Sequence, residues 1–194
     1  MDIKVRQEPL TALADYAIIP IAFEVAEVFD VTAAPHDGAP FVLAARLLPT
    51  SYTKDYDATG GDGPTRWPQR FDVSNWGLLA AYTGGERVGG ATVAYDTRGL
   101  DLLEGRLDLA VLWDLRVAAA ARRGGVGAAL FRAAEHWALA KGCCQLKVET
   151  QSINVGACRF YARQGCILRE VRRGVYPGLP DEIQLLWYKD LQDV

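Results

Sequence analysis

Three glycines in four positions, Gly124-Gly125-Val126-Gly127, follow the pair Arg122-Arg123 and constrain this chain more than any other stretch. The run lies between a strand-like segment, 107–117, and a helix-like segment, 128–141. Glycine lets the backbone approach a ligand closely and take turns closed to other residues. The helix that follows directs unpaired N–H groups and its positive dipole end toward the turn. With two arginines alongside, the result is a diphosphate cradle built largely from backbone. The dinucleotide fingerprint G-x-G-x-x-G does not fit, and neither does the phosphate loop G-x-x-x-x-G-K-[ST]. What fits is [RQ]-x-x-G-x-[GA], with Arg122, Gly125 and Gly127 at its defining positions. An ordinary glycine-rich strand-to-helix turn is the competing reading.

The rest of the chain reads as a mixed α/β (α+β) domain whose first half is antiparallel. Segments 21–31 and 41–48 form two strands joined by a loop holding Pro35, His36, Asp37 and Gly38, after a short helix over 9–19. Segments 77–82 and 87–95 form a hairpin around Thr83-Gly84-Gly85-Glu86, with Gly89-Gly90 weakening the second strand. Val126, Leu130, Ala133 or Ala134, and Trp137 recur at helical spacing, and Gly142 is a stop. A strand over 145–151, a helix over 155–164 capped by Asn154, and closing strands over 167–172 and 183–189 complete the pattern. The motif strand, its helix and the strand over 145–151 read as a parallel crossover unit. Residues 49–75 read as irregular, too polar and too broken for regular structure, either a substrate lid or a passive insertion.

A second motif follows. Glu149, Asn154, Ala157, Tyr161 and Gly165 form the skeleton Glu-x4-Asn-x2-Ala-x3-Tyr-x3-Gly. Asn154 caps the helix, and Tyr161 lies two turns along the same face, pointing back toward the strand–helix junction. Ligand crevices open at the carboxyl ends of parallel strands, so both motifs converge on one crevice.

At both places, and at the right separation, the sequence resembles the GNAT superfamily of N-acetyltransferases. The runs 28–31, 53–56, 113–117, 148–162 and 186–189 resemble, in order, the streptothricin acetyltransferases of that superfamily. Those relatives carry an acidic run after Lys-Asp-Tyr. Here that stretch is longer, rich in Gly and Pro, and holds only Asp57, Asp62 and Asp72. The resemblance implies one domain over 1–194, with a coenzyme A-binding core over about 76–190. It also implies a GNAT-type, mostly antiparallel sheet with a parallel strand-helix-strand unit for acetyl-CoA. Arg122, Arg123, Gly124, Gly125, Val126, Gly127 and Ala128 would hold the diphosphate, and Asn154 would contact coenzyme A. Tyr161 would protonate the departing thiolate. Leu115, Arg116 and Val117 would pair with the pantetheine arm, a main-chain N–H of Leu115 or Arg116 polarising the thioester.

Acetylating an amine requires removal of a proton, because an alkylammonium titrates near ~10. Glu149 and Asp114 are the candidate carboxylates, as base or as cation anchor; either could instead pair with an arginine such as Arg116 or Arg159. The acceptor is read as a cationic small-molecule amine, a streptothricin-type antibiotic first. A polyamine, an amino acid or a protein lysine stays open, and so does a non-catalytic acyl-CoA-binding module.

Composition narrows the partners. The 194 residues carry a net charge of −3 and no basic run, which argues against nucleic acid. No apolar run of membrane-spanning length occurs and the amino terminus has no leader-like apolar stretch, so the expected location is cytoplasmic, with no membrane partner. A homodimer is one assembly open to it. The four cysteines lack Cys-x-x-Cys spacing and the two histidines are isolated, so no metal is expected and the thiols read as reduced. Cys158 is open to a reactive or a packing role.

Overall fold

The computed structural model describes residues 2–34, 41–58 and 63–191. Along the chain run β1 (Lys4–Glu8), α1 (Leu13–Ala17), β2 (Phe23–Ala33), β3 (Phe41–Lys54) and α2 (Trp67–Arg70). Then come β4 (Gly77–Thr83), β5 (Glu86–Ala94), β6 (Leu109–Val117) and α3 (Val126–Ala140). The chain closes with β7 (Gln145–Gln151), α4 (Val155–Arg163), β8 (Ile167–Arg172) and β9 (Gln184–Asp190). It divides into two compact units, one of residues 1–21, 55–146 and 191–194, the other of 22–54 and 147–190.

In the first unit the strands are ordered β1-β4-β5-β6, each neighbour antiparallel. The hairpin between β4 and β5 closes through Gly84 and Gly85, both at positive φ, as a two-residue turn requires. Helix α3 buries Val126, Leu130, Phe131, Ala134, Trp137 and Ala138, a stripe at helical spacing. That stripe settles the reading at 133 or 134 in favour of Ala134. Beside it, Leu13, Tyr16, Trp67, Trp76 and Leu78 form a buried cluster, with Phe71 and Trp113 packed against it. Trp76 donates its indole N–H to Thr97 Oγ1 at 2.8 Å, so the one polar atom of that ring is satisfied.

Gly89 and Gly90, which weaken a strand in isolation, are required here by close approach. A Cβ on Gly90 would meet the Tyr16 ring at 2.6 Å, and one on Gly89 would meet Arg116 O at 2.9 Å and Val126 at 3.0 Å. Gly90→Ala is therefore expected to lower folding stability by about 1–3 kcal/mol, the cost of overpacking, measured as a fall in the urea midpoint. An unchanged midpoint would mean that the Tyr16 ring yields freely.

The second unit holds the hairpin β2–β3 and the strand order β7-β9-β8. β2 and β3 pair antiparallel from Phe23↔Lys54 to Ala33↔Phe41, with an irregularity between Val25 and Glu27. Pro49 lies in the unpaired stretch of β3 opposite that irregularity, where a residue without an N–H costs no ladder bond. The hairpin is tied down by Phe29 N–H donating to Ser152 O at 2.9 Å and by Arg159 ion-paired with Glu27 at 2.5 Å.

The mixed α/β class with mostly antiparallel pairing matches the sequence reading, and β6, α3 and β7 follow one another as expected. Three boundaries need correction. Lys4–Glu8 forms β1 where the sequence pattern predicts no strand, β3 runs on to Lys54, and α2 lies inside the segment 49–75 that reads as irregular. The residue types of 49–54 are polar because β3 is largely exposed there; pairing with β2, not burial, makes it a strand. The loop at Pro35 to Gly38 and Asp62 lie outside the described residues.

Candidate active site

In the first unit, β6 leads into the glycine turn. A one-residue register shift against β5 falls between Asp114 and Leu112, leaving Trp113 as the extra residue of a bulge. After Val117 the chain makes a 3-10 turn over Ala119–Ala121 and enters the turn itself. Gly125 is the N-cap of α3 at φ +88°, in the left-handed region that favours glycine, and Arg123 shares that region at φ +64°. No side chain caps α3 and its first turn carries no acidic residue. Residues 122–125 are exposed. The amide groups that open α3 therefore meet neither a side-chain cap nor an acidic residue of their own first turn, which fits an anion. Arg122 donates Nε–H to Val117 O at 3.1 Å, which folds this arginine back along the turn.

Asp114 and Arg116 alternate with half-buried Trp113, Leu115 and Val117, as the strand period requires. Both are buried, and Arg116 donates Nε–H to Asp114 Oδ2 at 2.8 Å. The same guanidinium grips Asp57 with both terminal nitrogens, at 2.7 and 2.9 Å, and donates to Ile19 O at 3.2 Å. Burial pushes the Asp114 carboxyl above its ordinary range, Arg116 opposing it. Burial also works against the Arg116 charge, but Asp114 and Asp57 outweigh it and hold the guanidinium firmly protonated. Of the two candidate carboxylates, Asp114 is thus the one engaged by an arginine.

In the second unit, β7 buries Val148 and Thr150 and leaves Glu149 half exposed on the opposite face, the alternation read from sequence. Glu149 Oε1 accepts a hydrogen bond from Tyr176 Oη at 2.5 Å and a longer one from Gln151 Nε2 at 3.4 Å. Asn154 caps α4, its Oδ1 accepting the Ala157 N–H at 3.1 Å. Tyr161 is buried on α4, its ring edge-on to Phe160 at 5.0 Å. Cys158 is buried, its thiol 3.3 Å from Thr150 Oγ1, and burial pushes its pKa up to about 11. A thiol so placed is a packing group at neutral pH. Trp187 donates to Thr150 Oγ1 at 2.8 Å and belongs to the core. Tyr176 had no signal in the sequence beyond the Pro177-Gly178 turn that follows it.

All four cysteines are free, three of them buried and Cys144 exposed. Among the described residues no group of three His, Cys, Asp or Glu could hold a metal, and no helix is long and apolar enough to cross a membrane.

The model of the acetyltransferase (GNAT) family matches residues 45–166, more than half of the chain, and the chain belongs to that family. Streptothricin acetyltransferase A of Bacillus subtilis (strain 168) is 41% identical over 81 residues, 41% of this chain and 47% of that protein. Aminoglycoside N(6')-acetyltransferase type 1 of Klebsiella aerogenes is 36% identical over 88 residues, 45% of this chain and 57% of that protein. The chain thus spans about half the length of the curated relatives it matches. Among solved structures, nourseothricin acetyltransferase superposes with a TM-score of 0.75 at 22% identity, covering 99% of this chain and 100% of that one. A protein from Bacillus anthracis str. Ames, named for streptothricin acetyltransferase and solved in complex with acetyl coenzyme A, gives 0.77 at 21%, covering 98% and 100%. At those identities the likeness shows the fold.

Proposed function

We propose that this chain is an acetyl-CoA-dependent N-acetyltransferase that modifies a primary amine of a cationic small molecule, a streptothricin-type antibiotic, and works in the cytoplasm. The observation that carries the reading is the start of α3 in a chain of this family: an exposed turn over 122–125, no acidic residue in the first turn, no side-chain cap and a left-handed Gly125. Those features suit a diphosphate, with Arg122 and Arg123 at its rim and Gly124, Val126, Gly127 and Ala128 leaving room for it. Acetyl-CoA supplies the acetyl group as a thioester. The main-chain N–H of Leu115 or Arg116 polarises its carbonyl, and the strand through Val117 lines the arm. Glu149 takes a proton from the ammonium so that the neutral amine attacks, Tyr161 gives one to the departing sulfur and is restored by the second proton that the nitrogen loses as the amide forms, and Asn154 contacts the cofactor. The C–S bond breaks as the C–N bond forms. Asp114, engaged with Arg116, shapes the strand instead of contacting substrate.

The acceptor class is supported by the names of the two relatives, a streptothricin acetyltransferase and an aminoglycoside N(6')-acetyltransferase. Calorimetric titration with acetyl-CoA, then thiol release over a panel of streptothricin, an aminoglycoside, a polyamine and a lysine peptide, tests it. Binding of acetyl-CoA with fastest turnover on streptothricin is the expected result. Turnover on another amine orders of magnitude above streptothricin would overturn the acceptor, and binding without turnover on any amine would overturn the enzyme.

A further inference from the structure

We infer that Tyr176 and Gln151 are positioning residues that hold Glu149 by one carboxylate oxygen and so present the other to the acceptor amine. The inference rests on Glu149 being the base in the reading above. Both donors converge on Oε1: the Tyr176 hydroxyl at 2.5 Å and the Gln151 amide at 3.4 Å. The same amide also donates to the Tyr176 hydroxyl at 3.1 Å, so the phenol accepts from Gln151 and donates to Glu149. Among the described residues Oε2 has no hydrogen-bond partner. A carboxylate has acceptor sites on both oxygens; saturating one fixes the plane of the group and leaves the other to receive a proton.

The two donors reach Glu149 by different routes, which is what makes the hold rigid. Gln151 is two residues along β7 and therefore on the same face. Tyr176 comes from the segment that joins β8 to β9, and that segment is fastened on both sides of it. Before it, Arg173 donates to Val31 O at 2.7 Å. After it, Glu182 is ion-paired with Lys54 at 2.5 Å, both buried, and Ile183 N–H donates to Ser152 Oγ at 3.2 Å. Within it, Leu179 N–H closes a turn onto Tyr176 O at 3.1 Å. Burial, and then the charge of Glu149, push the ionisation of the phenol well above its ordinary value. It therefore remains a donor throughout the range in which an amine acceptor is acetylated.

A base must lie within hydrogen-bond reach of the proton it takes, and misplacement by about 1 Å can cost roughly 10²-fold in rate. Tyr176→Phe keeps the ring and removes only the donor. The expected result is a fall in kcat of roughly 10- to 100-fold, with the KM for acetyl-CoA and the melting temperature close to wild type. Gln151→Leu is expected to fall in the same direction by less, and it carries the same comparison should Tyr176→Phe unfold. In a Glu149→Gln background neither change should lower kcat further, because there is no base left to position. A wild-type kcat for both single variants while Glu149→Gln is impaired overturns the inference alone. Effects that add fully to Glu149→Gln overturn it too, since the tyrosine would then act apart from the carboxylate. A fully active Glu149→Gln removes the base reading and the inference with it.

Discussion

Tyr161→Phe is expected to lower kcat by about 10²-fold, the low end for loss of a general acid, while leaving acetyl-CoA affinity unchanged. The magnitude follows from the leaving group. A thiol titrates near ~8.5 and a phenol near ~10, so a thiolate departs tolerably without help, and the acid contributes less than it would to an alkoxide. The ring should stay in place. Tyr161 is 7% exposed and packs edge-on against Phe160, contacts that phenylalanine keeps. The helix that carries it is set independently by Asn154, whose Oδ1 accepts the Ala157 N–H. Single-turnover thiol release measures the chemical step and calorimetry measures the cofactor. A wild-type kcat would remove Tyr161 from the reaction, and a lost affinity with intact kcat would make it a cofactor contact only.

What the sequence showed of this molecule was what local chemistry decides. The glycine turn is written by Gly125 at φ +88°, the cap by Asn154, and α3 by its stripe from Val126 to Ala138. Each of these depends on residues within a few turns of one another. β1 escaped because Lys4 to Glu8 holds one apolar residue in five, and its support comes from far away. Glu8 accepts from Tyr82 at 2.6 Å and pairs with Arg87, across 74 and 79 residues of sequence. The candidate site divides the same way. Glu149 was legible from alternation along β7, but Tyr176, 27 residues on, was not, because only the fold brings its hydroxyl to that carboxylate. Asp114 was legible as a carboxylate on the motif strand. That Asp57, 59 residues before Arg116, shares its guanidinium was not, since the segment between them carries no pattern that fixes where it returns.

That shared guanidinium carries the largest effect on stability. Arg116→Ala is expected to lower the folding free energy by about 3–5 kcal/mol, the cost of breaking a buried pair by removing one partner. For a domain of ordinary stability, about 5–15 kcal/mol, that is a large share. The cost comes mainly from Asp114. Its side chain is 5% exposed and that of Arg116 is 2% exposed, so the carboxylate would be left charged with neither water nor counter-ion. Asp57 contributes less, because its side chain is 32% exposed and water can replace the guanidinium. Tyr16 loses the guanidinium 5.5 Å above its ring, and Ile19 O loses a donor. The deficit should depend on pH with a definite sign. Burial already raises the Asp114 pKa in the folded protein, and without Arg116 it rises further. A carboxyl whose folded pKa lies above its unfolded value, near ~3.9, favours folding below that value and ceases to as pH climbs through the folded one. Urea midpoints of Arg116→Ala should therefore lie nearest those of wild type in acid and fall away toward neutrality. The double variant Asp114→Asn with Arg116→Ala should lose much of that pH dependence, since no buried carboxylate remains to titrate. A deficit that is flat with pH in the single variant would mean that water reaches Asp114 once the arginine is gone.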